Sequence, residues 1–291
     1  MLNKEQANYL SSVAAACFKV KKLEPEDLAP LLYLKFKLEG LGEQIKCEHV
    51  VIDEAQDFSL FQLEVLKVVL GTDSFTLLGD LAQKIHAYRG IKQWQEAVDH
   101  VFGGDATFLE LQKSYRATIE IMTLANRVLE QGEVKSDIAL AEPVVRHGRD
   151  PEINLFTGID ELGIELKDKI GEIENEGYQS IALVGKTWPE CASIRKMLAK
   201  QGLSNIPILT GNEDDYQAGV FIIPSYATKG LEFDVVFVIN IEEVYGYGEL
   251  DTTLLYVSLT RAMHRLFVYE LKSRKLKANS HIAGLCLEVP I

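Results

Sequence analysis

His49-Val50-Val51-Ile52-Asp53-Glu54-Ala55-Gln56-Asp57 is the stretch that decides the fold class. Four residues suited to a buried strand run straight into two adjacent carboxylates. A short apolar run rich in β-branched residues predicts a strand of a parallel sheet, covered on both faces. Ligands of such sheets bind beyond the carboxyl ends of the strands, where Asp53 and Glu54 fall. One carboxylate can hold a magnesium ion, directly or through water, while its neighbour orients or deprotonates an attacking water. Alone, the pair reads more simply as a solvated acidic turn, so the rest of the chain must decide.

At 291 residues the chain is long enough for two ordinary domains, and 47% hydrophobic with 25% charged residues is a globular composition. No run approaches the ~20 apolar residues that cross a bilayer, and Met1-Leu2-Asn3-Lys4-Glu5 has no secretory character. Cys17, Cys47, Cys191 and Cys286 are scattered without metal-ligand spacing, as suits reduced thiols in a cytoplasmic protein. A net charge of −13 excludes a generic polyanion binder, because non-specific affinity for DNA comes mostly from Lys and Arg. A local basic groove, or an acidic face for a protein partner, stays open.

Apolar spacing predicts helices over 4–20, from Glu24-Pro25 to Gly40, and from Ser59 to Leu70. Ser74–Asp80 repeats the opening pattern of apolar strand and terminal acid. A strand over Thr107–Leu111 and a helix from Thr118 to about Glu130 follow. Residues 132–152, with Gly132, Pro143, Gly148 and Pro151, read as a linker. A second series then begins: strand Ile153–Phe156, helix Asp160–Glu176, strand Ser180–Val184 and helix Cys191–Gln201. Strands Val220–Ile223 and Val235–Ile239, a helix over Thr253–Met263 and a strand Arg265–Tyr269 complete it. Alternating strands and helices give an α/β fold. The expected domains are 1–131, a linker 132–152, and 153–291. Gly185-Lys186-Thr187 ends like a phosphate-binding loop, but Ser180 stands where that loop needs glycine and Pro189 interrupts the following N–H donors. We read it as a strand end turning into a helix.

Asp53-Glu54 fits the Walker B pattern of nucleoside triphosphatases, and four further stretches follow it in order. They are Leu78-Gly79-Asp80-Leu81-Ala82-Gln83, Ser114-Tyr115-Arg116-Ala117-Thr118, Ala227-Thr228-Lys229-Gly230-Leu231-Glu232-Phe233 and Val257-Ser258-Leu259-Thr260-Arg261-Ala262. The ordered set resembles superfamily 1 helicases of the UvrD/Rep type over roughly residues 45–270. Lys113-Ser114-Tyr115-Arg116 and the span from Glu26-Asp27 to Glu39-Gly40 look most like the HelD branch. That branch implies work with RNA polymerase as well as with single-stranded or duplex DNA.

The resemblance implies two RecA-like lobes with parallel sheets, ATP as substrate and Mg2+ as cofactor. It makes Asp53 the magnesium ligand and Glu54 the residue that activates the attacking water. Gln83 becomes the γ-phosphate sensor, Tyr115 the adenine-stacking ring, and Arg116 and Arg261 the phosphate-contacting arginines. Gly230 and Glu232 match positions near the phosphates and the ribose hydroxyls. Tyr88 falls where relatives often carry a tryptophan that stacks on a base. On this reading Arg261→Ala abolishes turnover and leaves the fold intact.

The pattern also lacks a part. No Gly-x-x-x-x-Gly-Lys-Ser/Thr precedes Asp53, so the first lobe is expected to be incomplete, without the strand that leads into that loop. The expectation is the C-terminal part of a longer ATPase, inactive alone, whose N-terminal remainder supplies the loop. The alternative is a non-catalytic module that binds RNA polymerase. Retention of Asp53, Glu54, Arg116 and Arg261 together favours the former.

Overall fold

The computed structural model of the chain describes residues 3–40, 47–85, 90–111, 113–133, 140–143, 146–210, 218–272 and 280–287. These fall into two compact units, one drawn from Met1–Gly79 and Tyr88–Thr107, the other from Asp80–Ala87 and Phe108–Ile291.

Unit one begins with α1 (Lys4–Lys19), whose N-cap Asn3 forms a capping box with Gln6, and α2 (Pro25–Glu39), which has proline in its first turn. Neither helix buries a residue. Strand β1 (Val50–Ile52), helix α3 (Leu60–Leu70), strand β2 (Phe75–Leu77) and helix α4 (Trp94–His100) follow. β1 and β2 pair in parallel, Ile52 opposite Leu77. Their inner face packs Ile52 with Ala55, Leu63, Ile91, Ala97 and Val101. The outer face does not meet the expectation of a strand covered on both sides, for Val51 is 61% exposed. The small core lies on one face of a two-stranded ribbon, so the alternate residues of β1 point away from it.

Unit two carries β3 (Lys113–Ser114), α5 (Ile119–Gln131), β4 (Glu142–Pro143), β5 (Glu152–Phe156), α6 (Ile159–Asn175), β6 (Ser180–Gly185) and α7 (Trp188–Lys200). It continues with β7 (Gly219–Pro224), β8 (Phe233–Asn240), α8 (Glu249–Leu259), β9 (Ala262–Leu271) and α9 (His281–Leu287). Five strands form a parallel sheet in the order β5-β9-β8-β6-β7. The sheet is covered on both sides, and the period of two along each strand supplies both cores. Val184, Val236, Val238 and Val268 face one cluster with α5 and α8, while Leu183, Val235, Phe237 and Phe267 face the other with α6 and α7.

Three local expectations are corrected. Residues 107–111 form no strand; Phe108, Leu109 and Leu111 are exposed, and the short β3 pairs instead with β4. The helix expected over Thr253–Met263 lies earlier, because Ala262 already pairs with Phe233 at the start of β9. The helix expected from Cys191 begins at Trp188, because Thr187 caps it and Pro189 needs no N–H partner in its first turn. The units also divide earlier in the chain than residues 132–152. Ile121, Ala125 and Val128 of α5 share a core with Leu254, Leu255 and Leu259 of α8.

Glu190, in the first turn of α7, is 1% exposed. Its carboxylate accepts from the backbone N–H groups of Ile241 and Glu242 beyond β8. Burial, reinforced by Glu243 and Glu242, raises its pKa to about 7, against the opposing effect of those N–H bonds. The folded state therefore holds this proton more tightly than the unfolded chain. The associated stability is fully present below about pH 4.5 and is lost as pH rises through 7, an effect of about 3 kcal/mol. Urea denaturation of the wild type and Glu190→Gln between pH 4.5 and 8 measures it. The wild type is expected to lose about 3 kcal/mol more than the variant, and parallel pH profiles would refute the assignment.

Candidate functional site

In unit one, β1 delivers Asp53 and Glu54. The ladder brackets them, Leu78 N donating to Ile52 O at 2.8 Å and Ala55 N to Leu78 O at 2.8 Å, so the two acids stand out from the sheet. Asp53 Oδ1 accepts from Glu54 N at 2.8 Å. Glu54 occupies the left-handed region (φ 52°, ψ 34°), where an L-residue costs about 1–2 kcal/mol. Its carboxylate accepts from Gln56 Nε2. Gln56 is fully buried, and its carbonyl receives Ile91 N at 3.1 Å. A Cβ on Gly79 would lie 2.1 Å from Gln56 Oε1, so glycine there makes room for the side chain that holds Glu54. Sequence reasoning missed Gln56 and Gly79 as supports, although both lie inside the quoted motifs.

Magnesium usually keeps waters and takes one or two carboxylates together with substrate phosphates. Among the described residues no group of three or more His, Cys, Asp or Glu side chains could hold a metal ion. The exposed Asp53 carboxylate fits a cation that arrives with phosphates, not an all-protein cage.

In unit two, a short 3-10 helix (Leu81–Gln83) is capped by Asp80, whose Oδ1 accepts from Ala82 N at 2.8 Å. Asp80 Oδ2 accepts from Gln83 Nε2 at 2.8 Å, and Gln83 Oε1 accepts from Arg261 Nη2 at 2.9 Å. Arg261, just beyond α8, is 1% exposed. It also donates from Nε to Val257 O at 3.1 Å, from Nη1 to Leu231 O at 3.4 Å and from Nη2 to Thr260 Oγ1 at 3.3 Å. Two residues singled out from distant motifs are thus bonded directly.

Arg116 and Glu232, also selected independently, form an ion pair, both about 40% exposed. Gly230 has φ 80° with nothing within 4 Å of a Cβ, so backbone conformation and not space favours glycine there. Tyr115 is 70% exposed. Tyr88 lies outside the described residues. Tyr256 of α8, which sequence reasoning did not single out, is 3% exposed. Burial chiefly raises its pKa, Asp80 adds to that, and Arg261 and Arg116 oppose it. Those three charged residues therefore all act electrostatically on one buried phenol.

Gly185-Lys186-Thr187 is a strand end turning into a helix. Lys186 Nζ donates to Val244 O at 2.6 Å and pairs with Asp251 at 2.9 Å, and Thr187 caps α7.

Residues 4–93 match the UvrD/REP helicase N-terminal domain, and residues 219–269 match the UvrD-like helicase C-terminal domain. A protein described as a probable DNA helicase from Mycoplasma pneumoniae is 26% identical over 251 residues, covering 79% of this chain and 45% of that protein. ATP-dependent DNA helicase UvrD2 of Mycobacterium bovis is 36% identical over 93 residues, covering 31% of this chain and 13% of that protein. The crystal structure of the C-terminal domain of a possible DNA helicase from Lactobacillus plantarum WCFS1 aligns with TM-score 0.44 and 26% identity, covering 58% of this chain and 92% of that one. The chain spans less than half the length of these curated relatives. No described helix is long and apolar enough to cross a membrane. The two domain matches and the DNA helicase relatives together make the chain similar to UvrD-like helicases over those residues.

Proposed function

We propose that the chain is the C-terminal part of an ATP-dependent DNA helicase or translocase, built on two RecA-like lobes whose first lobe is completed elsewhere. The observation that carries this reading is the hydrogen bond between Gln83 and Arg261. Two side chains chosen from separate motifs, and far apart in sequence, meet as residues acting on one phosphate group would. Glu54 orients and deprotonates the attacking water. Asp53 would hold a magnesium ion, which when bound would neutralise phosphate charge. Arg116 and Arg261 supply guanidinium groups suited to phosphate oxygens, and Tyr115 offers an exposed ring for a base. Glu232 and Gly230 serve the ribose and phosphate side, and Tyr88 a base of the nucleic acid. Placement in the HelD branch, with RNA polymerase as a further partner, is supported by Lys113–Arg116, by Glu26–Gly40 and by the charge of −13.

Because none of the 291 residues forms a Gly-x-x-x-x-Gly-Lys-Ser/Thr loop, this chain alone is expected to show negligible ATP turnover. The full-length gene product is expected to show magnesium-dependent, DNA-stimulated turnover that falls at least ~100-fold on Glu54→Gln, the scale of losing a general base. Unchanged turnover in that variant would overturn the assignment of Glu54.

A further inference from the structure

Gln83 is held at both ends of its amide. The Nε2 group donates to Asp80 Oδ2, and Oε1 receives Arg261 Nη2. Asp80 can do this because its two oxygens divide the work: Oδ1 caps the 3-10 helix at Ala82 N, leaving Oδ2 for the glutamine. An ionised acceptor makes the stronger kind of hydrogen bond, so the carboxylate fixes which way the amide faces. With Nε2 turned to Asp80, only the carbonyl oxygen can face Arg261. Flipping the amide would aim its N–H groups at a guanidinium that has only donors. The guanidinium itself is almost fully buried and also donates to Val257 O, Leu231 O and Thr260 Oγ1. Among these acceptors, Gln83 Oε1 and Thr260 Oγ1 belong to side chains, and the two carbonyls are fixed in the backbone.

The geometry points to Asp80 as a positioning residue that governs Arg261 through Gln83. Asp80 locks the glutamine carbonyl onto Nη2, so a phosphate oxygen that takes that N–H must displace Gln83 from it. The inference rests on the reading of Arg261 as a phosphate contact, but the positioning itself stands on the hydrogen bonds among Asp80, Gln83 and Arg261. Displacement leaves Gln83 Oε1 without its arginine while Nε2 stays on Asp80, so capture of a phosphate is reported at the 3-10 helix on which Asp80 and Gln83 lie.

Asp80→Ser separates the two duties, because a short hydroxyl still caps Ala82 but does not reach Gln83. Nitrogen-15 NMR of the Arg261 guanidinium in the free 291-residue chain reads the result. Asp80→Ser and Q83M are each expected to speed hydrogen exchange of the guanidinium by at least ~10-fold, while adding Asp80→Ser to Q83M changes it less than ~2-fold, the non-additivity of residues acting as one unit. Wild-type exchange in Asp80→Ser, or an equal effect in both backgrounds, would overturn the inference. Asp80→Asn, which keeps one acceptor oxygen, is expected to fall between and serves if the serine variant does not fold. Titration with inorganic tripolyphosphate forms the second arm. Affinity is expected to rise about 5-fold in Asp80→Ser but to change less than 2-fold when Q83M is present, which separates release of Gln83 from mere removal of a negative charge. Arg261 signals that ignore tripolyphosphate in every variant would remove the phosphate reading and leave the positioning result standing.

Discussion

Arg261→Ala is expected to destabilise unit two by about 3–5 kcal/mol, the range for emptying a large buried site and orphaning its partners. Arg261 heads the largest fully buried side chains among the described residues. Truncation leaves a cavity between α8 and the Leu231 turn and removes donors from Val257 O, Leu231 O and Gln83 Oε1. Val257 O keeps Thr260 Oγ1 as a donor, so the loss comes mainly from the emptied volume, with a smaller part from the half-buried acceptors Leu231 O and Gln83 Oε1. Urea denaturation followed by circular dichroism measures the loss, and a change under 1 kcal/mol would contradict the packing described. The expectation that alanine there leaves the fold intact is therefore replaced. A lost turnover in Arg261→Ala would not separate chemistry from folding. Arg261→Lys preserves charge and most of the volume but lacks the planar fork, so the full-length protein carrying it is the proper test of the phosphate role.

Glu54→Gly is expected to stabilise unit one by about 1 kcal/mol while abolishing turnover of the full-length protein. The left-handed backbone at Glu54 is strained for any residue with a Cβ, and glycine relieves it. Part of the gain is offset because glycine has more freedom in the unfolded chain and because Gln56 loses its carboxylate partner. Glu54→Gln keeps the strain and forfeits the chemistry. Comparing the two by thermal denaturation and steady-state turnover separates them. If the glycine variant is the less stable, the strain is not what holds this position away from its optimum. Strained backbone at a reactive residue, maintained by its surroundings, is a common functional signature, and here the surroundings include Gln56 and the Asp53 carboxylate, which accepts from Glu54 N.

The periodic parts of the fold were legible. β6, β8 and β9 read as strands from their apolar runs, and α3, α5 and α6 read as helices from their length and apolar spacing. Phe108-Leu109-Glu110-Leu111 carries strand-like residues, but a strand needs a partner, and pairing is a long-range property that local composition does not encode. The end of α8 was missed because only Thr260 and Arg261 separate it from β9, with no Gly or Pro to mark the stop. In the site, the residue types needed by the chemistry stood out. Gln56 did not, and Asp80 stood out only as a strand-end acid, because they bond the selected side chains rather than the expected substrate. Only geometry reveals that second layer.

The packing of α5 against α8 has a practical consequence for dividing the polypeptide. A piece cut at residue 132 would strip α5 from the second unit and bare the apolar side of α8, where Leu254, Leu255 and Leu259 lie. A piece cut at residue 108 would keep α5 but lose Asp80 and Gln83, leaving Arg261 without one of its acceptors. Neither fragment inherits the whole of its own interior. The first is expected to aggregate through its exposed patch, and the second to fold with a loosened arginine. The second unit is therefore discontinuous in the gene: a domain boundary drawn as one position on the chain cuts through a body that the chain enters twice.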